Sequence, residues 1–234
     1  MTKPSKLFFP LLVFAATLAF GTVVSTTAEA QTRPGRAAVA TTGAKVTKGS
    51  KQALVKEFSV RPHANLQRKI GNKPLLHISG ANSSKYGKHL DHSVEMIFKP
   101  MGTTGHSYLR VGRKIYDFAY IARANEFKAP TGNAYGFVMA ATPAKIQKLQ
   151  QGFNQLMAQN PNFSMTGTGH NNTFSCAGFL SHVLKKHAPE LGVGLTPSAI
   201  GMASRLMRGN ADAVTIYGGN AGELASGNFE FKLL

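Results

Sequence analysis

The alternation of apolar and polar positions is clearest between residues 93 and 140. Ser93 to Lys99 sends Val94, Met96 and Phe98 one way and Glu95, Ile97 and Lys99 the other, which is the period of a strand. Pro100-Met101-Gly102 ends it. Two more strands follow, His106 to Val111 and Lys114 to Ile121. The Gly112-Arg113 pair between them suits a two-residue type II′ hairpin loop. Leu75 to Ser79 and Ala134 to Ala140 read as further strands.

Beyond residue 141 the period becomes helical. Thr142 is placed as an N-cap with Pro143 at the first helical position, and Ile146, Leu149, Phe153 and Leu156 then share a face. Asn160-Pro161 stops this helix. A loop rich in Gly, Thr and Asn leads to a second helix near Ser175, whose Cys176, Phe179, Leu180, Val183 and Leu184 fall on one side. Thr196-Pro197 caps a third, with Ile200, Ala203, Leu206 and Met207 inward. Ala213 to Tyr217 and Phe229 to Leu233 return to strand, as edge strands. Strands, then helices, then edge strands make an α+β layout: an antiparallel sheet packed against helices.

The N-terminal pattern differs. Lys3 and Lys6 precede an apolar run from Leu7 to Val24, and Ala28-Glu29-Ala30 has the small-x-small form of a cleavage site. Residues 1–30 are expected to be a secretory signal, which makes the mature chain secreted or periplasmic. An uncleaved anchor is the alternative. Residues 31–73 hold few large apolar side chains and form a basic, largely disordered segment, either a spacer or a tether. Within it, Ala53 to Ile70 carries enough apolar residues to join the domain as a short helix or strand. The domain proper is expected over residues 74–234.

Charge narrows the partners. The chain has 27 Lys and Arg against 10 Asp and Glu, a formal net charge of +17. Such a balance attracts anionic polymers or a membrane surface, with the basic segment as the natural contact. No aromatic ladder for stacking bases and no nucleic-acid module signature is present, so specific nucleic-acid binding is not expected.

Chemistry centres on Cys176, the sole cysteine. It cannot form an intramolecular disulfide, so it is either buried or used. In the first turn of its helix it meets the positive end of the helix dipole, which lowers a thiol's pKa. With Gly112-Arg113 as the loop, Val111 pairs with Lys114, Tyr108 lies opposite Asp117 and His106 opposite Ala119. His106, Tyr108, Arg110, Ile115, Asp117 and Ala119 then share a face. His106 and Asp117 become diagonal neighbours, about 7 Å apart along the backbone. A carboxylate beside an imidazole holds one tautomer and stabilises the imidazolium. A thiolate facing such a histidine is a cysteine-hydrolase arrangement, with backbone N–H groups of the turn available as an oxyanion hole. The competing reading leaves Cys176 on the apolar stripe of its helix and His106 as a partly buried strand residue.

Gly105-His106-Ser107-Tyr108-Leu109-Arg110-Val111-Gly112, followed by Ile115-Tyr116-Asp117-Phe118, resembles the G-H-x-x-L-x-x-G … Y-D-F strand pair of circularly permuted papain-like enzymes. That group includes permuted NlpC-type proteins and relatives of lecithin retinol acyltransferase. Asn172-Thr173-Phe174-Ser175-Cys176-Ala177-Gly178-Phe179-Leu180, with Leu195-Thr196-Pro197-Ser198, resembles its helix start and downstream T-P motif. The likeness implies a permuted papain-like fold with Cys176 as nucleophile, His106 as base and Asp117 as third polar residue. It departs from the pattern at Ser175, where the group has Asn. The implied activity is that of an exported cysteine hydrolase, a peptidase or amidase, acting on cell-envelope peptide or other amide substrates. A thioesterase or acyltransferase using the same dyad on an acyl substrate is the alternative, as is a non-enzymatic envelope-binding protein. Tyr108, Ser175 and His170 are candidates for substrate contact. His89, Asp91 and His92 invite a metal reading, but no convincing ligand set accompanies them, so no metal or cofactor is expected. His182 and His187 fall near the end of the second helix, where a structural role is expected.

Overall fold

The computed structural model describes residues 51–101 and 105–218. The signal, the basic segment up to residue 50 and the strand expected at Phe229 to Leu233 lie outside the described residues. The strands are β1 (Ser59–Val60), β2 (Leu75–Ile78), β3 (Ser93–Lys99), β4 (His106–Val111), β5 (Lys114–Ala119), β6 (Ile121–Glu126), β7 (Ala134–Ala140), β8 (Asn162–Phe163), β9 (Thr173–Phe174) and β10 (Ala213–Tyr217). Residues 51–58 are helical, here α1. The other helices are α2 (Ala64–Ile70), α3 (Ser83–Tyr86), α4 (Pro143–Met157), α5 (Cys176–His187) and α6 (Ala199–Arg208). Eight strands form one sheet in the order β1-β2-β10-β7-β3-β4-β5-β6, and β8 pairs with β9 separately. Every neighbouring pair in the large sheet is antiparallel except β2 and β10. The architecture is α+β, with a mostly antiparallel sheet.

Both faces of the sheet are covered. Val94, Met96 and Phe98 of β3, Leu109 and Val111 of β4, and Tyr116 and Phe118 of β5 pack with residues of α2, α4, α5 and α6. On the other face Ile97, Val138, Ala213 and Tyr217 pack with Leu54 and Phe58 of α1, Tyr86 and Leu90. The strands β3, β4 and β7 therefore alternate between two apolar layers rather than between core and water.

The structure departs from the sequence reading at three points. The domain starts before residue 74, because Leu54, Phe58, Leu66 and Ile70 are buried and β1 pairs with β2. β10 is not an edge strand. It sits between β2 and β7 with all five residues buried. The strand expected to run to Ile121 ends at Ala119, and a separate β6 forms the sheet's edge.

A buried ion pair lies in that second layer. Glu95 and Arg110 are directly opposed on β3 and β4, and neither is exposed. Arg110 Nε donates to Glu95 Oε2 at 3.0 Å. Its Nη1 reaches the carbonyls of Leu90, Ser93 and Gly112, and its Nη2 the hydroxyl of Ser93. The Tyr86 and Tyr217 hydroxyls donate to the Glu95 carboxylate, each at 2.8 Å. The guanidinium also lies 5.8 Å from the Tyr86 and Phe127 ring centroids. Gly136 of β7 makes room for the carboxylate, since a Cβ there would collide with Glu95 Oε1.

Breaking such a pair strands a charge in the core. Arg110→Met is expected to lose about 3–5 kcal/mol of stability, measured by urea denaturation followed by circular dichroism. Glu95→Leu with Arg110→Met is expected to lose less than the sum of the two single variants. Simple additivity would mean the two residues do not act as a pair.

Candidate active site

The nucleophile candidate is set by a helix start. Ser175 has extended backbone and serves as N-cap of α5, its Oγ accepting from the Gly178 N–H at 2.9 Å. The same hydroxyl donates to the Pro197 carbonyl at 2.8 Å, tying the segment before α6 to this turn. The preceding loop folds back over the helix start, with the Ser175 N–H donating to the Gly167 carbonyl at 2.8 Å. Gly178 lets that carbonyl approach, since a side chain there would strike it. Cys176 is thereby held at the first helical position, partly buried, where the helix N–H groups have no partner within the helix.

The base candidate comes from the hairpin. The expected register holds over Val111↔Lys114, Arg110↔Ile115 and Leu109↔Tyr116. The ladder then stops, although both strands run three residues further. β5 stays paired with β6 along its whole length, so the opening lies between β4 and β5. His106 and Asp117 belong to the face of the second layer, while α5 packs on the other face against β4 and β5. The opening lets the groups meet. His106 Nε2 bonds Asp117 Oδ1 at 2.7 Å, and the imidazole and the Cys176 thiol lie close enough for each to shift the other's pKa. With Nε2 donating to the carboxylate, Nδ1 is the nitrogen left for the thiol.

Electrostatics favour charge separation. Burial pushes the His106 pKa down, but the hydrogen bond to Asp117 and the contact with Cys176 outweigh it and raise it to about 9. Burial pushes the Cys176 thiol up, yet hydrogen bonds from His106 and the Ser107 backbone N–H bring it below its ordinary value. Ser107 Oγ also donates to Sγ, at 3.8 Å. Both shifts favour a thiolate beside an imidazolium over the neutral pair.

The other sequence candidates separate. Tyr108 packs beside His106, ring centroids 6.0 Å apart, and borders a cleft of about 550 Å³ with Ile115, Asp117, Asn125, Glu126 and Lys128. Ser175, expected to touch substrate, is instead buried, with its hydroxyl committed to two backbone groups. His170 is exposed on a short 3-10 turn and shares no hydrogen bond with Cys176 or His106. Arg110 shares the face of His106, as expected, and is buried against Glu95. Asp91 pairs with Arg113 and His89 with Glu57, so the possible metal cluster is dispersed; no group of metal-binding side chains occurs among the described residues. Ser107 escapes sequence reasoning. A serine next to the histidine reads as a strand residue, and only the third dimension places its hydroxyl on the sulfur.

Iodoacetamide alkylation of folded protein should be rapid at neutral pH, and His106→Ala should shift its midpoint to higher pH. Ser107→Ala should shift it the same way by less, because the backbone N–H remains. A thiol that reacts only in denaturant would overturn the coupling. Because His106 holds its proton more tightly when folded, its stabilisation is complete below its unperturbed value of 6.5 and is lost as pH rises through about 9. Chemical denaturation across that window, compared with His106→Ala, reads the difference.

No protein-family model, no curated protein and no solved structure matches this chain.

Proposed function

We propose that the chain is an exported cysteine hydrolase with a permuted papain-like arrangement, a peptidase or amidase acting on peptide or related amide substrates of the cell envelope. The observation that carries this reading is the 2.7 Å bond between Asp117 and His106, with that imidazole electrostatically coupled to a Cys176 thiol held at a helix N-terminus. His106 Nδ1 takes the thiol proton, and Asp117 holds the resulting imidazolium. The thiolate attacks the carbonyl carbon, and the oxyanion is received by N–H groups of the first turn of α5. Collapse breaks the C–N bond, and the leaving amine takes its proton from His106. Water then gives a proton back to His106 and attacks the acyl-enzyme, releasing the acid and the thiol. The cleft beside Asp117 is bordered by Tyr108, Ile115, Asn125, Glu126 and Lys128, a mixed lining that offers a peptide both apolar contact and polar partners.

Cys176→Ala is expected to abolish amide hydrolysis, and Asp117→Asn to reduce kcat about 100-fold or more. Mass spectrometry of wild type quenched in acid should show an acyl adduct on Cys176. The pH profile should rise as Cys176 ionises and fall through about 9 as His106 loses its proton. Undiminished hydrolysis in Cys176→Ala would sink the reading.

A further inference from the structure

We propose that the end of the sheet carrying the dyad docks onto an anionic lipid surface. The strand directions put the end of β3, the start of β4, the β5–β6 turn and the start of β7 at one end of the molecule. The loop before α5 and the segment before α6 join them there through Ser175. The exposed large apolar side chains among the described residues are Met101, Tyr120, Ile121, Met165 and Leu195. All lie on these connections. Tyr120 and Ile121 form the β5–β6 turn and are 76% and 64% exposed. Tyr120 has φ of 75°, a sparsely populated conformation for an aromatic residue, and it lifts the ring into water. Its ring lies 4.7 Å from that of Phe163, which links the turn to the segment bearing Met165.

Charge at this end is complementary to lipid phosphate. Lys99 and Arg123 stand beside the apolar tips and enter no ion pair among the described residues. Asp117 is the one described carboxylate here, and His106 engages it. Asp91, Glu126 and Asp212 lie at the opposite ends of β3, β6 and β10, Glu190 lies beyond the last turn of α5, Glu57 pairs with His89, and Glu95 is buried. Apolar tips with cations beside them and no free acid among the described residues make an interfacial surface, whose apolar residues enter the boundary between headgroups and acyl chains. This contact is separate from any tether that the basic N-terminal segment makes. It would present the Cys176 site to substrates held at the membrane surface.

The chain contains no tryptophan, so one introduced indole reports position. Full-length Tyr120→Trp and Lys114→Trp, the latter at the opposite end of β5, are mixed with phosphatidylglycerol/phosphatidylcholine vesicles carrying brominated acyl chains. Indole emission from the Tyr120→Trp variant should shift to the blue and be quenched, while emission from the Lys114→Trp variant should do neither. Adding Ile121→Ser and Met165→Ser to Tyr120→Trp should weaken the quenching titration about tenfold. Circular dichroism checks that these variants fold. Co-sedimentation of Tyr120→Trp with vesicles while its indole stays unquenched, or equal quenching in both variants, would overturn the proposal and leave the N-terminal segment as the contact. Cys176→Ser should dock like its parent, so a failure of catalysis and a failure of docking are distinguishable.

Discussion

Glu95 and Arg110 face each other in a layer that water does not reach, and the placement of everything around them follows from that pairing. Removing two charges from water is costly, and the cost is offset only when each lone pair and N–H finds a partner. Here the partners come from β3, β4, β10, α3, Leu90 and Gly112. A slip of one residue between β3 and β4 would turn Arg110 into the helical layer, where no carboxylate waits. The pair is therefore a register lock. It aligns Ser107 with Phe98 and His106 with Lys99 at the far end of the same ladder.

Two constraints then meet at that far end. The helical layer carries α5, whose cap, loop and glycine contacts bring Cys176 to the rim of the sheet. The second layer carries His106 and Asp117. Side chains on opposite faces of a continuous ladder would be separated by backbone. The ladder between β4 and β5 ends early, and beside that opening the Ser107 hydroxyl donates to the sulfur at 3.8 Å. The same opening thus supplies both access and one of the groups that stabilise the thiolate.

Much was legible in the chain. The helix starts at Thr142 and Ser175, and the strands Ser93–Lys99, His106–Val111 and Ala134–Ala140, follow from period, caps and loop residues, all of which act within a few positions. The hairpin register was legible too, since a two-residue loop leaves one way to count outward. His106 and Asp117 could be paired from it.

What only the tertiary structure decided involves partners distant in sequence. Glu95 alternates with apolar residues and so reads as a water-facing position; its burial depends on Arg110, Tyr86 and Tyr217. β10 reads as a tail, yet its parallel pairing with β2 makes it central. Ser175 reads as a site residue, while its hydroxyl is spent on Gly178 and Pro197. Ser107 gives no signal at all, because a hydrogen bond to sulfur across 69 residues leaves no periodicity. Local patterns record what each segment needs from its own backbone and from one apolar face. Which polar groups end up satisfied, and by whom, is decided when the layers close.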